Sequence, residues 1–248
     1  MTARLTRRGA LELLAAGAVA GSLAAGGAPA RAAQGTLRLS PPDAPMLFRR
    51  RLLREMSGGN AIVVERGFEL RFLPLGHGYR VEGTQVSSAV ETPPVLAQIA
   101  ELERKRVDSG VFPVELDPDG LVLDGASPDA RPTPGLDEAV DLALARMQER
   151  GASGAQLADA NAFFLWLQQA AGTIGAEMPR ELFVPPAEPQ QVTRVVALPG
   201  GGSGTIETRF WGSISPETGL MQTAERDIVT RTEETSRRTV ETWSLAPA

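Results

Sequence analysis

His77 is the only imidazole in this chain of 248 residues, and there is no cysteine. An imidazole acting as general base needs a nucleophile within reach and a carboxylate to orient it. Ser87, Ser88 and Glu91 are close in sequence, but neither serine sits in a nucleophile-elbow pattern. His77 lies between Gly76 and Gly78, which predicts a solvated turn instead. Without cysteine there is no disulfide, thiolate metal site, thiol nucleophile or acylated lipoprotein cysteine.

The remaining candidates read as structure. Asp117, Asp119 and Asp124 suggest calcium, yet Pro118-Asp119-Gly120 breaks the alternation of a calcium loop and makes an ordinary turn. The patch Gly200-Gly201-Gly202-Ser203-Gly204 has no Lys-Ser/Thr after it, so it is a hairpin loop and not a phosphate cradle. Glu101 and Lys105 form an i,i+4 pair on a helix that also carries Glu103, Arg104 and Arg106. Paired-carboxylate glycoside chemistry needs two acids across a cleft, which spacing alone does not show. Arg49, Arg50, Arg51 and Arg54 form the one basic cluster. It suits an anionic membrane surface or an acidic partner, and equally a solvent-facing strand. No catalytic, cofactor-binding or metal-ligating residue is singled out, and no cofactor is expected.

The first residues look like an address. Arg4, Arg7 and Arg8 precede a weakly apolar stretch over 9–25, followed by Ala30-Arg31-Ala32. A basic start, an apolar middle and a small-x-small cleavage site are the parts of an export signal. The apolar stretch is too short to span a bilayer, and Glu12 interrupts it. Arg7-Arg8, with Thr6 before them and Leu11 three residues after, resembles the twin-arginine export motif. Two positions depart from it: Ala10, where a large apolar residue is usual, and Glu12, where lysine is common. The resemblance implies the twin-arginine export machinery as a partner during transport and a periplasmic or secreted location. Cleavage after Ala32 removes four arginines and Glu12, leaving 21 basic and 29 acidic residues and a net charge of −8. Such a domain is a poor nucleic-acid binder, because phosphate affinity comes largely from Lys and Arg.

Beyond a lead-in coil over 33–45, hydrophobic patterning predicts one α+β domain over 46–248. Residues 46–56 are ambiguous between helix and strand, and Ser57-Gly58-Gly59-Asn60 favours strand–turn–strand. Residues 61–72 open with the β-branched run Ile62, Val63, Val64 and then alternate strictly, Phe68, Leu70 and Phe72 against Glu69 and Arg71, which marks a strand with one wet face. A turn at Pro74–Gly78 leads to a strand over 79–90, with a bulge expected at Gly83. Thr92 is a fair N-cap for a helix striped by Val95, Leu96, Ile99 and Leu102 and closed by Gly110. A hairpin over 111–116 and 121–123 follows, then helices over 136–150 and 155–174 within a central helical segment, 136–174. After the stiff linker Pro185-Pro186-Ala187-Glu188-Pro189 come strands over 192–198, 205–214, 220–232 and 237–245, with a second bulge expected at Gly212.

Strands, then helices, then strands is an α+β order. Joining the two meanders predicts one curved antiparallel sheet, half-barrel-like, with about three helices covering one face. This element order resembles the half-barrel of periplasmic lipoprotein carriers and lipid-binding envelope proteins. The run Gly78-Tyr79-Arg80-Val81-Glu82-Gly83, and Phe112-Pro113 ahead of Asp119-Gly120, resemble those of uncharacterised exported bacterial proteins and imply no activity.

Phe163, Phe164, Trp166 and Leu167 make a helix stretch that is greasy on more than one stripe. Core packing explains this, and so does the lining of an apolar cavity. The expected function is therefore a non-enzymatic soluble periplasmic protein that binds an apolar or amphipathic ligand. The alternative is an envelope interaction or structural module that meets a partner through edge strands, Trp211 or Trp243. A hydrolase without a recognisable motif stands third.

Overall fold

The computed structural model describes residues 39–55, 60–107, 112–123, 136–154, 157, 178–197, 203–232 and 236–248. Eight strands form one sheet in which every pairing is antiparallel: β1 Met46–Glu55, β2 Ala61–Leu75, β3 Gly78–Glu91, β4 Val114–Leu116, β5 Gln190–Ala197, β6 Ser203–Ile214, β7 Met221–Arg231 and β8 Ser236–Pro247. Their spatial order is β4-β3-β2-β1-β8-β7-β6-β5, so the first and last strands pair at the centre and join the two meanders. The sheet is not closed into a barrel; β4 and β5 are its edges. Residues 46–55 are strand, as the turn cluster after them suggests.

Helices are fewer than expected. Among the described residues there are two short ones, α1 Ala97–Lys105 and α2 Leu136–Glu149, plus a 3-10 turn at Pro94–Leu96. Helix α1 lies against β3, and α2 packs on α1 and the 3-10 turn. Of the helix expected over 155–174, only Leu157 is described, and it is helical, as is Gly154 just before the range. Thr92 is not the cap: Pro93 precedes the 3-10 turn without a side-chain capping bond, and α1 ends at Lys105, before Gly110.

Alternation sorts the strands onto two faces. Met46, Phe48, Arg50 and Leu52 of β1 share one face with their partners Leu70, Phe68, Arg66 and Val64 of β2. Their partners on β8, Pro247, Leu245, Trp243 and Glu241, lie there too. This is the covered face. On the other, Arg238 pairs with Asp227 at 2.9 Å, and Glu207 takes Arg209 at 2.6 Å and Arg231 at 3.2 Å. Exposed pairs of this kind contribute roughly 0–1 kcal/mol each, so the wet face is solvated more than it is braced.

One end of the covered face is a closed aromatic core. The Phe112 ring meets Phe48 edge-on at 5.7 Å and Phe68 at 5.5 Å, and Phe183 meets Phe72 at 5.8 Å. Such pairs add about 0.5–1.5 kcal/mol beyond area burial. Phe183 and Leu182 are fully buried, although they lie outside any strand. Their segment is a strap. Met221 N–H donates to the Phe183 carbonyl at 2.8 Å, Gly212 N–H to Pro186 at 2.8 Å, and Val122 N–H to Arg180 at 2.7 Å. The lead-in chain adds Leu39, which is buried in the same cluster.

Both expected bulges are displaced. Gly83 pairs in register with Leu70, and Gly212 with Ala224. A Cβ on Gly83 would stand 2.4 Å from the Phe112 ring, and one on Gly212 would stand 2.6 Å from the Pro185 ring. These glycines are places where another segment presses onto the strand. The register instead shifts opposite Gly67/Phe68, where Val86 is the extra residue, and at Ser213/Ile214, where Gln222 is extra.

Candidate functional site: a row of buried ion pairs

A charged row crosses the covered face just beyond the aromatic core. Arg66, Glu103 and Glu241 are buried there, and the side chains of Arg50, Arg226 and Arg106 are only 12–13% exposed. They form two clusters, each with one carboxylate between two guanidiniums.

The first cluster joins α1 to the sheet. The inward side of α1 carries Ala100, with Leu96 just ahead of it, and then Glu103. Glu103 accepts from Arg66 and also from Arg106, at 2.9 Å from Nε to Oε2 and 2.7 Å from Nη2 to Oε1. Arg66 also donates to the backbone carbonyls of Arg106 at 2.9 Å and Glu103 at 3.2 Å. The Arg106 carbonyl lies past the last helical residue, and the Glu103 carbonyl takes a long bond of 3.3 Å from the Arg106 N–H, so a sheet arginine adds to the C-terminal cap and meets the helix's negative pole. The β3 bulge supports this arrangement. Gln85 and Ser88 are three residues apart, and a regular strand would put them on opposite faces; across the extra residue both reach Arg66 Nη1 at 3.3 Å. A Cβ on Gly67 would stand 2.3 Å from Ser87 Oγ, so glycine is what lets the bulged strand approach.

The second cluster lies wholly on strands. Glu241 of β8 is opposite Arg226 of β7 and diagonal to Arg50 of β1. Arg226 donates to Glu241 Oε2 through Nη2 and through Nε, the latter at 2.6 Å, while Arg50 Nη2 takes Oε1. The Arg226 guanidinium also lies 5.6 Å over the Trp243 ring, a cation–π contact. Burial pushes the Glu241 carboxyl upward, but the charges of Arg226 and Arg50 and their hydrogen bonds together outweigh it. They hold the carboxyl down to about 2. The group is a permanent anion at any physiological pH.

Beyond this row the face changes character. Ile206, Thr208, Ile228 and Val192 occupy covered-face positions but are only half-buried. A closed core thus lies on one side of the charges and a looser, mixed floor on the other, where Arg194 stands opposite Ile206 and Thr239 opposite Ile228.

The sequence puts Arg50 in a basic cluster suited to a partner surface or a solvent-facing strand and Glu103 on a helix beside Arg104 and Arg106; in the structure both are held in buried clusters. Arg49 is exposed, so the cluster 49–54 divides between the faces. Arg66, Arg226 and Glu241 were not singled out. For the two arginines the sequence carries a signal: each is a charge whose neighbours two residues away on the same strand are apolar, Val64 and Phe68 around Arg66 and Ala224 and Ile228 around Arg226, whereas Glu241 has Thr239 on one side. His77 is exposed in a two-residue turn, beside Gly76 at φ +58°, as its glycine neighbours suggest. Trp243 is buried beneath Arg226 and is not a free partner surface; Trp211 is half-buried on the wet face. The cavity candidates Phe163, Phe164, Trp166 and Leu167 and the export residues Arg7, Arg8, Leu11, Ala30 and Ala32 lie outside the described residues. Among the described residues no three acidic or imidazole side chains gather to hold a metal ion, and no helix is long and apolar enough to cross a membrane.

No protein-family model matches the chain, and no curated protein matches it. Among solved structures, the chain is aligned with the dehydratase domain from the CurJ module of curacin polyketide synthase. The identity is 7%, covering 82% of this chain and 76% of that one, with a TM-score of 0.15. An inactive mutant of the CurJ dehydratase, in complex with a compound, aligns at 7% identity over 82% and 75%, with a TM-score of 0.14. Likenesses at this level carry no argument about fold or activity.

Proposed function

We propose that this chain is a non-enzymatic binding module of the cell envelope, exported by its twin-arginine-like signal, that holds an apolar or amphipathic ligand on the covered face. The observation behind this reading is the half-buried floor of Ile206, Thr208, Ile228 and Val192, which continues the covered face past a core that is already complete. The two register shifts support a half-barrel-like curvature, because an extra residue bends its strand and increases the local twist. An alkyl chain gains about 0.8 kcal/mol per buried CH2, so a chain of ten methylenes binds usefully without any reactive group.

Native mass spectrometry of the mature protein, released gently from cells, tests the reading. A bound amphipath should appear as a defined mass increment that disappears on delipidation. A clean apo mass, together with no thermal shift on adding lipid, refutes it.

A second reading, an envelope interaction module, draws on the outer edge of β5. That strand pairs with β6 alone among the described strands and exposes Val195 at 72%. Open edges of this kind accept a further strand. Crosslinking in cells should then trap one dominant protein through 190–197, and absence of such a product rejects it.

A further inference from the structure

The two edges of the sheet are built differently. β4 is 3 residues long, lies between Pro113 and Pro118, and is bridged on its outer side by Leu116–Val122. A strand so short, proline-flanked and covered takes no further strand. β5 is 8 residues long, runs in unbroken register with β6, and carries Arg194 as its one charge and no proline. Its side chains from Gln190 to Val196 are exposed or half-buried. Such an edge is a template for another strand. One open and one blunted edge also limit an assembly. Copies joined head to tail use both edges and form an open row, whereas two copies about a two-fold axis use one edge twice. Blunted β4 is then left at both ends. Directly opposed residues of an antiparallel pair share a face, so a symmetric β5 pair centres on a residue. Over most of the strand that residue is Thr193 or Arg194. Centring on Arg194 sets two guanidiniums against each other, which weakens a strand pair. Centring on Thr193 sets Thr193 against its copy, Gln191 against Val195 and Arg194 against Val192. Threonine pairs of this kind are favourable.

We infer that two copies of this chain pair through β5, antiparallel and centred on Thr193, so that the sheet continues across a two-fold axis. This rests on the reading of the β5 edge given above and names a second copy as the strand that the edge accepts.

Sedimentation velocity of the mature protein over a wide range of concentration should show a reversible monomer–dimer equilibrium and nothing larger. Thr193→Lys places two like charges directly opposite at the axis and should weaken the dimer at least tenfold, with an unchanged circular dichroism spectrum. The chain has no cysteine, so one introduced thiol reports its own neighbour. Thr193→Cys should link to itself on oxidation. Gln191→Cys and Val195→Cys should link to each other when mixed, and far less to themselves. If Thr193→Lys does not fold, the unsubstituted protein and the cysteine variants still decide. A dimer that Thr193→Lys leaves unweakened, a dimer that Thr193→Cys fails to link, or growth past two copies overturns the inference. A monomer at every concentration overturns it too, and crosslinking in cells then separates the two claims. A different protein trapped through 190–197 leaves the edge reading standing, and no product rejects both.

Discussion

Arg50 and Arg66 stand opposite each other across the β1–β2 pair, on the same covered face. Like charges at directly opposed positions weaken a strand pair. Each guanidinium is turned to its own carboxylate, Glu241 for Arg50 and Glu103 for Arg66, 191 and 37 residues away in sequence. The β1–β2 pairing therefore depends on β8 and α1 both being in place.

Glu241→Gln should be among the most damaging single changes. It leaves Arg50 and Arg226 facing each other with no anion between them, at a cost of about 3–5 kcal/mol. Replacing all three together, as Arg50→Met, Arg226→Leu and Glu241→Met, should recover most of that loss, because the attraction within a buried cluster largely offsets its desolvation. Urea unfolding of the single and triple variants measures both.

Stability should fall in acid for a reason that can be assigned. The Glu241 carboxyl is held down to about 2 in the folded chain, against 4.5 for an unperturbed glutamate. Its contribution is complete above pH 4.5 and is lost as pH falls through 2, because the unfolded chain binds the proton first. The gap corresponds to about 3 kcal/mol. The difference in unfolding free energy between the unsubstituted protein and Glu241→Gln should narrow steadily from pH 5 to pH 2.

Gly83→Ala should destabilise through Phe112 rather than through backbone strain. The added methyl would stand 2.4 Å from that ring and 2.8 Å from Leu70. Overpacking of this kind costs about 1–3 kcal/mol. Phe112→Leu combined with Gly83→Ala should cost less than the sum of the two single changes, and a double-mutant cycle by thermal unfolding reads that coupling.

The strap should carry more stability than its irregular backbone suggests. Phe183→Ala removes a fully buried ring and should cost about 3–5 kcal/mol. Val195→Ala, on an exposed edge position, should change stability by no more than about 0.5 kcal/mol. Denaturant midpoints of the two variants separate these expectations.

The strands are legible because alternation is a local property: Phe68, Leu70 and Phe72 reveal their face without reference to any other segment. The joining of the meanders also follows, since the closing pair β1–β8 is the simplest way to satisfy both central strands. Local patterns fail where the cause lies far away in the chain. Gly83 looks like a bulge because the ring that needs its empty side, Phe112, is 29 residues later. Phe183 looks like a loop residue because its burial is decided by β2 and β7. The charged row escapes for the same reason. A lone arginine among apolar neighbours reads as a surface residue until the glutamate that meets it is brought alongside by β8 or by α1.

A dodecanoate analogue carrying a tail diazirine, irradiated on the mature protein and mapped by peptide mass spectrometry, tests most directly whether the covered face holds the ligand. The label should fall on Ile206, Ile228 and their covered-face neighbours, and competing dodecanoate should suppress it. Label on the wet-face residues Leu53, Val240 or Trp211, or label that does not saturate, would contradict the account.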